Sequence, residues 1–380
     1  MIENMQTTHQ TMYQTLPTDY YFSPGRLNML GAHTSISGGF TLSATTNIGV
    51  YFAFNLRDDG VMKVFHKQTF DQPLELTKKT EENPHHFQAV LSKLLYEGYT
   101  LNQGFNLTID NQLPVHIGLS SKTTTTIGLI RVLLLINDHA YKSEKLIKFA
   151  HQIEQSSAIT PTSYGQQMNA LYGKKNQALF ISNKNYNYEY APLQFFNYRW
   201  YIFNTNYQES SLELKLKSRY NDIKEGTKFI FRKRPINDLC DVEFNDFNRL
   251  KHEIKDQNIL KRLEHVVFEN DRALQGYKAL QKHQYSILFE LLNHSQESLT
   301  QLFEINIPEI AFLVDRLNTM GALATRMTGT TKSAGLLTVF DKDANPSFDA
   351  LTEYYEKRFK RNLEIIEISS GDGFHKIKNV

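Results

Sequence analysis

Between the strand-like FNLTID, which begins at Phe105, and the apolar helical run IGLIRVLLLIND lies LPVHIGLSSKTTT, residues 113–125. Glycine and serine ahead of a helix suit a phosphate, because backbone N–H groups can point at the anion and the helix dipole favours it. Gly118, Ser120, Ser121, Lys122 and Thr123 are therefore candidate phosphate contacts. The string is not a Walker loop, since that pattern needs glycine immediately before the lysine and another five residues earlier, where this chain has Ser121 and His116. Lys122 either holds phosphate or stands as a solvated residue at the helix start, and the second is the favoured reading. His85 and His86 are adjacent in a first helical turn and point to different faces. They make a poor metal pair and read as surface residues, so no metal site is assigned.

The chain around these residues has 380 positions, long for one core and comfortable for two domains with a cleft between them. Lys plus Arg at 42 against Asp plus Glu at 40 gives a net charge of +2, too little bias for a phosphate-backbone partner, so nucleic acid is not expected. The single cysteine, Cys240, rules out an internal disulfide framework and fits a reducing, cytoplasmic setting. No apolar run approaches a membrane span, and MIENMQTTHQ lacks the basic-then-apolar order of a signal peptide, so no membrane association is expected.

The elements that must position the loop read as follows. Residues 19–57 give strand, loop, strand, ending in the aromatic and β-branched IGVYFAFNL. Asn83 and Pro84 look like an N-cap and first helical residue, with Phe87, Val90, Leu91, Leu94 and Leu95 repeating at helical spacing until Gly98. QALFIS and WYIFNTN read as strands. The pattern then changes to long, mostly amphipathic helices over about 210–235 and 243–320, before the strand GLLTVFDKD, the helix FDALTEYYEKRF and the strand LEIIEIS. The domain change falls near 190–205, and helices packed on an antiparallel sheet follow. There is no internal repeat.

Three separated segments, PGRLNMLGAHTSISGG at 24–39, LPVHIGLSSKTTT and RMTGTTKSAG at 326–335, together with SYGQQMNALYGKK from Ser163, resemble the motifs of galactokinases. These belong to the GHMP group of small-molecule kinases that also holds homoserine and mevalonate kinases. LCDVEFNDF, RLEHVVFENDRAL and LLNHSQESLTQLFEINIPEI agree in order, so the resemblance covers nearly the whole chain. It implies an α/β (α+β) fold of two domains, 1–195 and 196–380, with ATP and a sugar in the cleft between them. Mg²⁺ is implied with the ATP wherever nucleotide binding is retained.

Residue by residue, the resemblance implies departures as well as matches. In the first motif Arg26 and His33 stand as in the family and either contact a ligand or brace the turn, while Ala32, Ser35 and Ile36 replace the sugar-contacting Glu, Asp and Tyr. His116 replaces a glycine of the phosphate loop and Lys122 a serine. In the third motif Gly329 stays, but Thr330, Thr331, Lys332, Ser333 and Ala334 interrupt a run of small residues. Gln166 takes the place of the catalytic Asp, Ser163 that of a sugar-contacting glycine, and Tyr220 that of a sugar-stacking tyrosine, unless it packs in the core. An amide cannot take a proton, and general-base help is worth roughly 10² to 10⁴ in rate. Homoserine kinases work without this Asp. The expectation is a galactokinase-like protein with transfer to galactose impaired or lost, binding a small-molecule ligand such as a sugar, with a protein partner if its role is regulatory. The alternative is a working kinase with another substrate.

Overall fold

The computed structural model describes residues 1–78, 85–114, 117–156, 158, 162–209, 211–234, 236–329 and 333–378. Its first half runs α1 (Ile2–Tyr13), β1 (Asp19–Leu30), β2 (Phe40–Arg57), β3 (Met62–His66), β4 (Leu74–Leu76), α2 (His86–Tyr96), β5 (Gly104–Asn111) and α3 (Ser121–Ile136). There follow α4 (Ser143–Gln155), α5 (Gly165–Tyr172), β6 (Gln177–Ser182) and β7 (Tyr188–Pro192). The second half holds β8 (Tyr198–Gln208), α6 (Leu212–Phe231), α7 (Phe244–Leu250), α8 (Gln257–Gln281), α9 (Tyr285–Gln301) and α10 (Pro308–Thr319). It closes with β9 (Ala324–Thr328), β10 (Ser333–Asp341), α11 (Asp349–Phe359), β11 (Glu364–Ile368) and β12 (His375–Lys376).

Helices and sheets mix as expected for the α+β class. One sheet runs β12-β1-β2-β5-β3-β4, with β6 on β2 and β7 on β6; a second runs β11-β8-β10-β9. The pairings are antiparallel apart from β3 with β5. β1 and β2 form a long hairpin whose register shifts between Pro24 and Arg26 and again between Asn28 and Leu30. Proline cannot donate to a ladder, so the strand bulges there. The freed Arg26 N–H donates instead to the Leu119 carbonyl at 3.0 Å, tying β1 to the loop before α3. α3 is buried along almost its whole length, as its apolar run requires. Gly276 lets α8 lie close on the hairpin, because a Cβ there would stand 2.5 Å from Leu30 Cδ1.

Several expectations are corrected. The helical stretch expected over 243–320 consists of four helices, α7 to α10, with left-handed His283 between α8 and α9 and left-handed Glu304 between α9 and α10. The polar N-terminal segment forms α1, whose Met5 and His9 are buried; His9 hydrogen-bonds Thr108 and Asn55, so its inward face satisfies the histidine that an apolar stripe would exclude. Asn83 and Pro84 lie outside the described residues, and the described part of α2 begins at His86 with His85 in the capping position, its ring accepting from the Phe87 N–H at 3.4 Å. The proposed division at 195/196 falls between β7 of the first sheet and β8 of the second, while β12 crosses back to pair with β1. Among the described residues no helix is long and apolar enough to cross a membrane.

Candidate functional site

The residues expected to meet phosphate sit at the end of β5, in the loop after it and at the start of α3. The Asn111 amide donates to Ser121 Oγ at 2.7 Å while its oxygen accepts from the Leu113 N–H at 3.0 Å, so one residue pins both ends of the loop. Gly118 has φ of +87°, and a Cβ there would stand 2.2 Å from the Gly329 nitrogen. Only glycine lets these two predicted nucleotide loops pack this closely. Ser120 precedes α3 in a left-handed conformation, and no side chain caps the first turn. His116, Thr330, Thr331 and Lys332 lie outside the described residues, as does the side chain of Ser333.

The threonine run after Lys122 spends its hydroxyls inward. Thr124 donates to the Pro24 carbonyl at 2.9 Å, and Thr125 and Thr126 bond back one turn to Ser121 and Lys122. His86 is half-buried and hydrogen-bonds Thr126 Oγ1 at 3.0 Å, which corrects its reading as a surface residue; burial, then the charge of Lys122, pulls its pKa down to about 4. Lys122 itself is exposed, and its charge acts on both His86 and Glu154.

Thr123 is the hinge between this loop and the residue in the base position. Its Oγ1 donates to Glu154 Oε2 at 2.6 Å and lies 2.9 Å from the Gln166 amide. Glu154 is 5 % exposed. Burial pushes its pKa up to about 7, against the opposing pull of Thr123, Gln167 and Lys122. Glu154 was missed by sequence reasoning. Its signal was a carboxylate on the face of α4 that also carries Leu146, Ile147, Phe149, Ala150 and Ile153. Beside it, Ser163 Oγ donates to Asn183 Oδ1 at 2.8 Å and accepts from the Gly165 N–H, while the Asn183 amide holds the Gly39 carbonyl at 2.6 Å.

On the other side, Arg26 is 9 % exposed. Its Nη2 donates to Asn28 Oδ1 at 2.7 Å, and its Nε is buried with no partner among the described residues. Burial, then the neighbouring Arg326, pulls its pKa down to about 10, which still leaves it charged at neutral pH. His33, at φ of 62°, stacks on Phe303 at 4.1 Å and hydrogen-bonds Tyr220 through Nδ1 at 3.0 Å. Burial holds this imidazole well below its ordinary pKa and raises the Tyr220 phenol. Ser35 lies half-buried in a single 3₁₀ turn, and Ala32 is 8 % exposed.

A second functional residue that sequence reasoning missed holds this loop from behind. Glu269 of α8 is fully buried, and its Oε1 accepts from the Gly31 and Ala32 N–H groups at 3.1 and 3.2 Å and from Ser295 Oγ at 2.7 Å. Its Oε2 accepts from Arg272 Nε at 2.7 Å. Burial would raise this carboxyl, but Arg272, His265, Arg326 and Ser295 overcome it and hold the pKa at about 2. His265 adds a contact to the Ala32 carbonyl.

The predicted residues thus fall into two groups joined by β1: Gly118, Ser120, Ser121, Lys122, Thr123, Gln166 and Gly329 around the start of α3, and Ala32, His33, Ser35 and Tyr220 under α6 and α8. The galactokinase galactose-binding signature matches residues 7–56, and the GHMP kinase N-terminal domain matches residues 85–174. These matches and the relatives that follow show a likeness to galactokinases, within the GHMP kinases, over nearly the whole chain. The chain is 27 % identical to the galactokinase of Levilactobacillus brevis, over 97 % of this chain and 98 % of that one. It is 29 % identical to that of Clostridium tetani, over 81 % and 80 % of the two chains. The crystal structure of Lactococcus lactis galactokinase complexed with galactose superposes with a TM-score of 0.90 over 99 % of both chains at 24 % identity, a likeness of fold. A mevalonate kinase superposes with a TM-score of 0.62 at 14 % identity, over 92 % of this chain and 98 % of that one. Among the described residues, no three histidine, cysteine or acidic side chains group as a metal site.

Proposed function

We propose that this chain is an ATP-dependent phosphotransferase of the galactokinase type whose transfer to galactose is impaired. The observation that carries the reading is the neutral Gln166 amide, to which the resemblance assigns the base position, lying 2.9 Å from Thr123 Oγ1. The residues around it fit a nucleotide. The first turn of α3 has no side-chain cap, so its N–H groups can face phosphate, and the Gly118–Gly329 contact closes the cradle where a Cβ would block it. Thr123 and Glu154 form an all-oxygen pair of the kind that, with phosphate oxygens and water, holds Mg²⁺. ATP with its Mg²⁺, when bound, would supply the phosphoryl group and neutralise charge that builds up as it leaves.

The chain's own residues then divide the work. Ser120, Ser121, Lys122 and Thr123 orient the phosphates, and Arg26 brings a charged guanidinium to the acceptor side of the same loop. The Gln166 amide can orient an acceptor hydroxyl but cannot remove its proton. Ser163, Ala32, His33, Ser35 and Tyr220 shape the acceptor side, which has lost acids that would receive hydrogen bonds from sugar hydroxyls. The expected outcome is transfer from ATP to galactose slower by roughly 10² to 10⁴ than an intact galactokinase, the usual worth of a general base. A rate equal to that control overturns the impairment. The second reading is a ligand-binding or regulatory protein, with a protein partner, in which transfer is lost. It is favoured by the burial of Glu154, whose partial protonation near neutral pH weakens any hold on a cation. Nucleotide binding without transfer to any member of a sugar panel would decide for it.

A further inference from the structure

The acceptor side contains a charge that no acid among the described residues pairs with. Arg26 is nine-tenths buried, its hydrogen-bond partner is the neutral Asn28 amide, and its Nε has none among the described residues. The charged neighbour that acts on it is another cation, Arg326. Arg326 donates to the Asn28 carbonyl at 2.7 Å and to Ser295 Oγ at 3.0 Å, and reaches Glu269 only at 4.0 Å. Glu269 in turn spends its oxygens on Gly31, Ala32, Ser295 and Arg272, so it does not serve Arg26. Of the residues that the resemblance assigns to the acceptor side, His33, Ser35, Ser163 and Gln166 carry no negative charge, and the acid Glu154, which shares Thr123 with Gln166, is spent on that hydroxyl. Ser163 and Gln166 are themselves engaged with Asn183 and Thr123.

A guanidinium buried without an acid is a costly arrangement, and a hydroxyl does little to relieve it. Its planar fork matches a carboxylate or a phosphate, which can take two parallel N–H donors at once. From this geometry we propose that the acceptor site takes a small polyhydroxylated acid, a sugar bearing a carboxylate or phosphate, with Arg26 meeting the anion. The proposal rests on the reading of this cleft as a kinase acceptor site and names the class of its substrate. A hydrogen bond to a charged group is worth more than one between neutral partners, which translates into a preference of about 10- to 100-fold over the neutral sugar.

The test is a calorimetric series at fixed ionic strength with D-galacturonate, galactose 6-phosphate and D-galactose, each with and without saturating ATP. The expected result is that an acid binds about 10- to 100-fold more tightly than galactose, and that R26Q removes the difference. Q166D gives a second route that leaves Arg26 in place, because a protein carboxylate at 166 competes with the ligand's anion and lowers the preference. Galacturonate and galactose 6-phosphate together distinguish a carboxylate from a phosphate as the anion, and tight binding of either supports the proposal. Galactose binding as tightly as the acids, no binding of any of the three, a preference that survives R26Q, or an acid that ATP displaces competitively overturns it. ATP binding in the same series separates the two readings: nucleotide bound with no acid preference sinks only this inference, whereas no nucleotide binding strikes the kinase reading beneath it.

Discussion

Glu269 and Arg26 are two buried charges a few residues apart through the Asn28–Arg326 link, and they are treated in opposite ways. Glu269 collects four hydrogen bonds from Gly31, Ala32, Ser295 and Arg272 and is held at a pKa of about 2. The Arg26 side chain has one partner among the described residues, the neutral Asn28, and a pKa drawn down to about 10. The first pattern is that of a joint, since one carboxylate fastens the loop after β1 to α8 and α9. The second is that of a contact waiting for something outside the chain. The Glu269 carboxylate is thus spent on the fold, whereas the Arg26 guanidinium has no acid beside it among the described residues.

Removing the two charges should separate them most. Glu269→Ala leaves Arg272 and two backbone N–H groups buried without their acceptor and should cost ~3–5 kcal/mol in urea unfolding, whereas Arg26→Met should change stability by no more than about 1 kcal/mol. Equal losses would erase the distinction. Acid should act on Glu269 in the same direction: its folded pKa lies below the unfolded value, so its stabilisation is present above about pH 4.5 and is lost as pH falls towards about 2.

Glu154 titrates the other way. Its folded pKa of about 7 lies above the ordinary carboxyl value of 4.5, so the folded state binds the extra proton and stability falls as pH rises from about 4.5 to 7. The shift corresponds to about 3 kcal/mol. Glu154→Gln should therefore unfold at higher denaturant than the parent at pH 8 and close to it at pH 4.5, and a constant difference across that range would count against the burial account. On the chemical side, Gln166→Asp should raise phosphate transfer to galactose by about 10², measured as initial rate at saturating ATP. A smaller effect than that of Glu269→Ala is expected of Thr123→Val, which removes the hydroxyl between Glu154 and Gln166 and should cost about 1–2 kcal/mol while raising the Glu154 pKa further.

The class of fold, the central helix and the substitutions at 32, 35, 122 and 166 were legible because they sit in contiguous motifs with distinctive spacing. Glu154 and Glu269 were not. Each is one acid within an ordinary amphipathic helix, and its meaning comes largely from distant partners, Thr123 for Glu154 and Gly31, Ala32 and Ser295 for Glu269. The breaks between α8, α9 and α10 were hidden for a related reason: helical periodicity continues on both sides, and the turns at His283 and Glu304 use left-handed residues other than glycine. His86 was misjudged because its partner Thr126 lies in a different element, where only the tertiary fold brings the two together.

The central claim is that the nucleotide side of the cleft is kept and the acceptor side has changed. Calorimetric titration with MgATP, with an intact galactokinase as positive control, tests it most directly. The account predicts saturable binding in the micromolar range that is weakened when Lys122 is replaced by Glu. No heat and no thermal stabilisation at millimolar nucleotide would contradict it and leave a cleft whose ligand is something other than ATP.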